Sequence, residues 1–329
     1  MSGQRLAVGT DLGGTKILSL VATEDGEVLG EHRCLTQASE GPDAVIGRLV
    51  ASVREALGRA AVAADEIVGV GISTPGPCDP ERGVVTNAPN LPGWQEIPLT
   101  RLVSAALGTP AILEHDAAAA CYGEYRFGAG RGFRHIVYVT LSTGIGGGII
   151  IDGRLYGGAS GAAGEVGHLI VDEDGPLCNC GNRGCVEALA SGLAIARDAE
   201  AALAAGRSPL LAELAGGGPL TAELVHQAAL RGDAASLEII ERAGHHLGLG
   251  LAGLLNCFNP QLLILGGGLL GLGDLYLEPA VRAAREGAFE QIVADVTITE
   301  AKLGERAGAL GGAALLLHQG LPQSARSGR

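Results

Sequence analysis

The hydrophobic positions of this chain change period repeatedly, and each change marks an element. Apolar runs at Leu6–Val8 and Ile17–Ala22, separated by a glycine turn and followed by the turn "EDGE" at Glu24–Glu27, predict a three-strand meander. From Pro42 to Ala64 the apolar residues recur at helical spacing, and "EIVGVGIS" (Glu66–Ser73) then reads as a buried strand. Thr74–Trp94 is rich in Pro, Gly and Asn and predicts loop. "RLVSAALG" predicts a helix, "PAILEHD" a strand ending at an acid, and "DAAAACYGEYRFG" another helix. "HIVYVTLSTGIGGGIIIDGRLYGG" predicts strands around a glycine turn. Glu187–Phe258 is Ala/Leu helix with a break near Gly216–Pro219, and "NPQLLILGGGLL" is a strand running into glycines. Arg306–Gln319 is a closing helix, and "LPQSARSGR" a frayed tail.

Strands mixed with helices, with glycine turns at strand ends, indicate an α/β protein. "AVGTDLGGTK" and "YVTLSTGIGGG" echo one another, each an apolar strand, a small-polar glycine turn and a second strand. The echo predicts two related halves with a cleft between them. Neither turn is a familiar nucleotide loop. In "GTDLGGTK" Gly14 is followed by Thr15 before Lys16, which breaks the P-loop pattern, and "GIGGG" neither satisfies G-x-G-x-x-G nor opens a helix.

Composition narrows the class. The 329 residues are 47% hydrophobic and 18% charged, enough for two globular domains, and 54 glycines are about double ordinary usage. A net charge of -13 disfavours non-specific nucleic-acid binding. No apolar leader opens the chain, and the uncharged run Leu247–Gly273 is broken by Asn256, Asn259, Pro260 and glycines, so it predicts a buried helix and strand rather than a membrane span. Seven cysteines, four of them (Cys34, Cys78, Cys121, Cys257) scattered in apolar surroundings, suit a reduced, cytoplasmic protein.

Four constellations carry candidate chemistry. Asp11, Gly13, Gly14, Thr15 and Lys16 could present N–H groups and a cation to phosphate, with Asp11 holding Mg²⁺ through water; a plain hairpin turn reads as well. Thr143, Gly144 and Gly146 in "STGIGGG" allow close approach of an anion, or form a flexible hairpin. Asp116, after Glu114 and His115, could be a general base at a strand end, although the pattern by itself favours a helix cap. His168, Cys178, Cys180 and Cys185 supply one imidazole and three thiolates, a full tetrahedral zinc shell. With no open position, such an ion is structural. Glu165 and Glu187 bracket the cluster as solvated acids or as acceptors for sugar hydroxyls.

These motifs, with "TPGP", "APNLPGW", "GEVGH", "CNCGNRGCVE" and the late "ILGGG", resemble the ROK family (repressors, open reading frames and kinases) over essentially the whole chain. The resemblance implies a two-domain actin-like/ribonuclease-H-like ATPase fold with an interdomain cleft, residues 1–114 and 305–329 forming a smaller domain and 115–304 a larger one with the knuckle. It implies phosphoryl transfer from Mg-ATP to a hexose 6-hydroxyl, with glucose favoured by "APNLPGW" and N-acetylglucosamine, N-acetylmannosamine, mannose or fructose as alternatives, and polyphosphate as an alternative donor. Asp116 matches the catalytic base; Glu165, His168 and Glu187 match sugar-hydroxyl contacts; Asn90 lies in the sugar loop; Gly266, Gly267 and Gly268 match the turn near the adenosine. His168 would read sugar with one ring nitrogen and bind zinc with the other. His115 departs from the Asn usual before that Asp, which touches the choice of sugar. A homo-oligomer, dimer or tetramer, is implied. A sugar-sensing regulator is the rival, weakened by the acidic balance and by the ten residues before Asp11.

Overall fold

A computed structural model describes residues 4–88 and 90–320. In chain order the strands and helices are β1 (Leu6–Leu12), β2 (Lys16–Thr23), β3 (Val28–Leu35), α1 (Pro42–Ala60), β4 (Ile67–Thr74), β5 (Cys78–Asp79), β6 (Val84–Asn87), β7 (Gln95–Ile97), α2 (Leu99–Leu107), β8 (Ala111–His115), α3 (Asp116–Phe127) and β9 (Ile136–Leu141). They continue as β10 (Ile145–Ile151), β11 (Arg154–Leu155), α4 (Val186–Ala190), α5 (Gly192–Ala204), α6 (Pro209–Ala215), α7 (Ala222–Leu230), α8 (Ala234–Phe258), β12 (Leu262–Gly266), α9 (Asp274–Gly287), α10 (Glu290–Asp295), β13 (Thr297–Glu300) and α11 (Ala307–His318).

Two five-stranded sheets share one ordering, β3-β2-β1-β4-β8 and β11-β10-β9-β12-β13. In the first, β1 pairs antiparallel with β2 and parallel with β4; in the second, β12 runs parallel to both β9 and β13. The meander, the buried strand Ile67–Thr74 and the helix-then-strand reading of the uncharged run all appear. The expected loop Thr74–Trp94 differs, because β5 and β6 lie within it and form a small antiparallel sheet with β7, which follows directly after Trp94. Val84 and Val85 are buried and hold it, yet strands of two to four residues leave no periodicity to read. The first helix also stops short of Ala64: Ala61 takes a left-handed φ of 53°, ending α1.

The chain divides into two compact units, one of residues 1–134, 148–164 and 302–329, the other of residues 135–147 and 165–301. These bounds differ from the expected division after Glu114, since α3 belongs with the first unit. The reason is α11. A Cβ on Gly123 of α3 would meet the Ala307 carbonyl at 2.6 Å, and one on Gly311 would lie 1.7 Å from the Ala119 carbonyl. The two helices touch backbone to backbone. Glu124 secures the same contact from the core: Oε1 accepts from the N–H groups of Lys302 and Leu303 (2.8 and 2.7 Å), and Oε2 from Ala129 (2.8 Å). A wholly buried carboxylate needs such partners.

The core of the first unit includes Val8, Ile17, Leu49, Ile72, Leu91, Trp94 and Leu113. That of the second gathers β9 and β12 with α5, α7, α8 and α9, where buried Tyr276 donates its hydroxyl to the Ala190 carbonyl at 2.7 Å. No helix among the described residues is long and apolar enough to cross a membrane.

Candidate functional site

In the first unit the candidate residues sit at the ends of β1, β8 and the β1–β2 turn. Register places Asp11 opposite Leu18 on β2 and beside Ser73 on β4. The Ser73 hydroxyl donates to Asp11 Oδ1 at 2.7 Å. Burial pushes the Asp11 carboxyl up to about 6; the Ser73 bond opposes this, the Asp116 carboxylate adds to it, and Lys16 opposes it. A buried carboxyl that feels a second carboxylate is a place where a divalent cation restores balance, so the donor set fits Mg²⁺.

The turn Gly13–Lys16 is tight, with the Gly13 N–H donating to the Lys16 carbonyl at 2.9 Å. Gly14 abuts Asn90, since a Cβ there would meet Asn90 Cβ at 3.1 Å and its carbonyl at 3.2 Å. Asn90 is exposed, while Leu91 and Trp94 anchor its loop in the core. Lys16 departs from a free phosphate-binding cation: its ammonium pairs with Glu305, which also takes Arg33 at 2.6 Å. These hydrogen bonds hold the Glu305 carboxyl below its ordinary value. All three side chains are exposed, so little free energy stands against opening the pair.

Asp116 is the first residue of α3 and His115 its cap position. Asp116 Oδ1 accepts from the Ala117 N–H at 2.6 Å, and His115 Nδ1 lies 3.4 Å from the same oxygen. The Asp116 side chain is 43% exposed, reachable by a hydroxyl ligand. Glu114 Oε1 accepts from the His115 N–H at 3.0 Å, and burial raises its carboxyl above the ordinary value.

In the second unit His168, Cys178, Cys180 and Cys185 converge, with their ligand atoms all within 4.8 Å of one another. Cys178 Sγ lies 3.6 Å from His168 Nδ1, and Cys180 Sγ 3.6 Å from Cys185 Sγ. An ion about 2.3 Å from sulfur and about 2.0 Å from imidazole nitrogen would set tetrahedral edges of roughly 3.8 and 3.6 Å. The His168–Cys178 and Cys180–Cys185 distances match those edges, and the other ligand atoms lie within 4.8 Å of one another, close enough to gather around one ion. Burial, with the neighbouring thiols, pushes Cys185 up to about 12, and burial raises Cys178 too, so a cation is what would make three thiolates tolerable here. Gly184 is required by the backbone: φ is 66°, and a Cβ would fall 1.5 Å from the Asp172 carbonyl.

With Nδ1 turned to the sulfurs, His168 Nε2 faces outward, 3.9 Å from Glu165 Oε2. Cys185 caps α4, which puts Glu187 in that helix's first turn. Glu187 Oε2 accepts from the Ile145 N–H at 2.9 Å, and a Cβ on Gly144 would lie 2.5 Å from it. The knuckle therefore reaches the "STGIGGG" turn through Glu187. Gly146 continues into β10, and a Cβ on Gly267 would strike the Leu141 carbonyl at 2.2 Å, holding the Gly266–Gly268 turn against the end of β9.

Thr143 and Gly268 share a pocket of about 310 Å³ with Ser142, Leu193, Ala196, Leu220, Thr221, Glu223 and Leu269. Leu193, Ala196 and Leu220 were not legible as site residues, because in an Ala/Leu helical stretch they read as core. Ser73 had no signal either; its partner Asp11 lies 62 residues away.

Sheets of matching strand order, with glycine turns at strand ends, define a protein of the two-domain actin-like/ribonuclease-H-like ATPase fold. The family model described as the ROK family matches residues 7–319. A glucokinase from Thermotoga maritima is 38% identical over 310 residues, covering 94% of this chain and 96% of its own. The solved ROK family glucokinase from Streptomyces griseus, in complex with glucose and AMPPNP, is 35% identical with a TM-score of 0.79, over 95% of this chain and 99% of its own. A putative xylose repressor from Caldicellulosiruptor is 33% identical, covering 95% of this chain and 78% of its own. The chain belongs to the ROK family.

Proposed function

We propose that the protein is a sugar kinase that transfers the γ-phosphoryl group of ATP to the 6-hydroxyl of a hexose, glucose before others. Whole-length similarity to glucokinases carries this reading, above all the glucokinase solved with glucose and AMPPNP. The apolar pocket beside Thr143 and Gly268 supports an adenosine site, and the glycine turns at Gly13–Gly14 and Thr143–Gly146 support phosphate binding. The regulator reading has a relative as well, at lower identity.

Asp116 acts as the base, taking the proton of the sugar hydroxyl as its oxygen attacks phosphorus. Its exposed carboxylate and its place at the end of β8 support the role. Glu165, His168 Nε2, Glu187 and Asn90 hold and orient sugar hydroxyls. Lys16 leaves Glu305 to meet phosphate charge, while His115 steadies the Asp116 carboxylate or reads the sugar beside it. Asp11, with Ser73 behind it, would hold Mg²⁺, which supplies charge neutralisation on the phosphates. Zinc on His168, Cys178, Cys180 and Cys185 would be structural; the ligand spacing supports it, and its chemistry is to fix the tautomer and aim of His168.

A cytoplasmic setting is supported by seven cysteines that form no disulfide with one another. A homo-oligomer follows from the resemblance, and gel filtration with light scattering would size it. A coupled ADP-release assay across glucose, mannose, fructose, N-acetylglucosamine and N-acetylmannosamine, with ATP and polyphosphate as donors, tests substrate and donor together. The highest kcat/KM is expected for glucose with ATP; no turnover on any sugar would favour the regulator.

A further inference from the structure

Thr36 follows β3 and is wholly buried, outside every motif that pointed to function. Its hydroxyl donates to the Gly13 carbonyl at 2.6 Å, and its N–H donates to the Thr15 carbonyl at 2.8 Å. One residue thus grips two carbonyls of the Gly13–Lys16 turn, those on either side of Gly14. A peptide unit is planar and trans, so its N–H points opposite to its C=O. Fixing the Gly13 carbonyl therefore fixes the direction of the Gly14 N–H. Without that grip a Gly-Gly pair would sample many conformations. The Gly13 N–H is spent on the Lys16 carbonyl, whereas no acceptor among the described residues takes the N–H of Gly14 or Thr15. A hydrogen bond to the carbonyl also polarises the peptide and strengthens its N–H as a donor.

We propose that Thr36 is a positioning residue for nucleotide binding: its hydroxyl clamps the Gly13 carbonyl and so aims the Gly14 N–H at a phosphate oxygen of ATP. This rests on the kinase reading, and the phosphate turn works as a preset anion cradle only while Thr36 holds it.

Thr36→Val keeps the side-chain shape and deletes the hydroxyl. Isothermal titration with Mg-ATP, steady-state KM for glucose and a thermal melt are measured on wild type, Thr36→Val and Thr36→Ser. Thr36→Val is expected to weaken ATP binding about tenfold or more, the scale of one lost hydrogen bond to a charged group, with glucose KM unchanged. Thr36→Ser is expected to restore most of the affinity. A merely structural role would lower the melting temperature while leaving the two constants unchanged or moving them together. That result, or normal ATP affinity in Thr36→Val, overturns the proposal. Should Thr36→Val not fold, Thr36→Ala against Thr36→Ser reads the same difference. Wild-type protein that phosphorylates sugar from polyphosphate but binds no ATP would sink the ATP reading, and the Thr36 inference with it.

Discussion

Asp11→Asn is expected to stabilise the protein at neutral pH while abolishing turnover. In the folded state burial drives the Asp11 carboxyl from 3.8 up to about 6, despite the hydroxyl of Ser73. The folded protein therefore binds a proton more tightly at this site than the unfolded chain does. The stabilising contribution of that proton is fully present below about pH 4 and is lost as pH rises through about 6. By pH 7 the wild type carries the full cost of an ionised, buried carboxylate facing a second one. A shift of roughly two units corresponds to about 3 kcal/mol; Asp11 as a residue is half-buried, with its carboxyl bonded to the buried Ser73, so solvent screening brings the working figure to about 1–2 kcal/mol. Asparagine keeps the acceptor for Ser73 and discards the charge. Urea denaturation of both proteins at pH 7 and pH 4, without nucleotide and with a chelator, reads the difference. The mutant should win at pH 7 and lose its advantage at pH 4. With Mg-ATP added the order should narrow or reverse, since only the wild type gains fully from the ligand. A mutant less stable at pH 7, or an advantage indifferent to pH, would refute the assignment of Asp11 as a strained, cation-seeking carboxyl.

Three further substitutions probe the rest of the site. Asp116→Ala should cut kcat by roughly 10²–10⁴-fold while glucose binding weakens much less; near-normal turnover would leave Asp116 as the start of a helix and nothing more. Cys180→Ser should lower zinc content by metal analysis, with glucose affinity falling in step because His168 and Glu187 lose their support; wild-type protein that binds no zinc yet turns over normally would contradict the knuckle account. His115→Asn should shift hexose preference, since a carboxamide sets its donor and acceptor closer together than an imidazole does; an unchanged profile would confine His115 to its contact with Asp116.

What the sequence made legible was local. The β1 turn stands between two clear apolar runs, and His168 with its three cysteines falls within eighteen residues, so spacing alone could announce both. What it hid was long-range. Glu305 reaches Lys16 across 289 positions, and neither residue carries a local mark of the pairing. Glu124 looks like an ordinary helix acid, but it is buried and bonded to Lys302 and Leu303, which is why α3 joins α11. The strands β5, β6 and β7 escaped because Pro and Gly between them mask two buried valines. Thr36 and Ser73 are small hydroxyls in β-rich surroundings, where threonine and serine are commonplace.

The central claim is transfer of a phosphoryl group to a hexose 6-hydroxyl, and product analysis tests it most directly. The purified protein is incubated with glucose and Mg-ATP, and the products are followed by phosphorus and proton NMR. The account predicts ADP in stoichiometric yield with a phosphate monoester at carbon 6 of glucose. ADP released without a sugar phosphate, or phosphate found on another carbon, would contradict it.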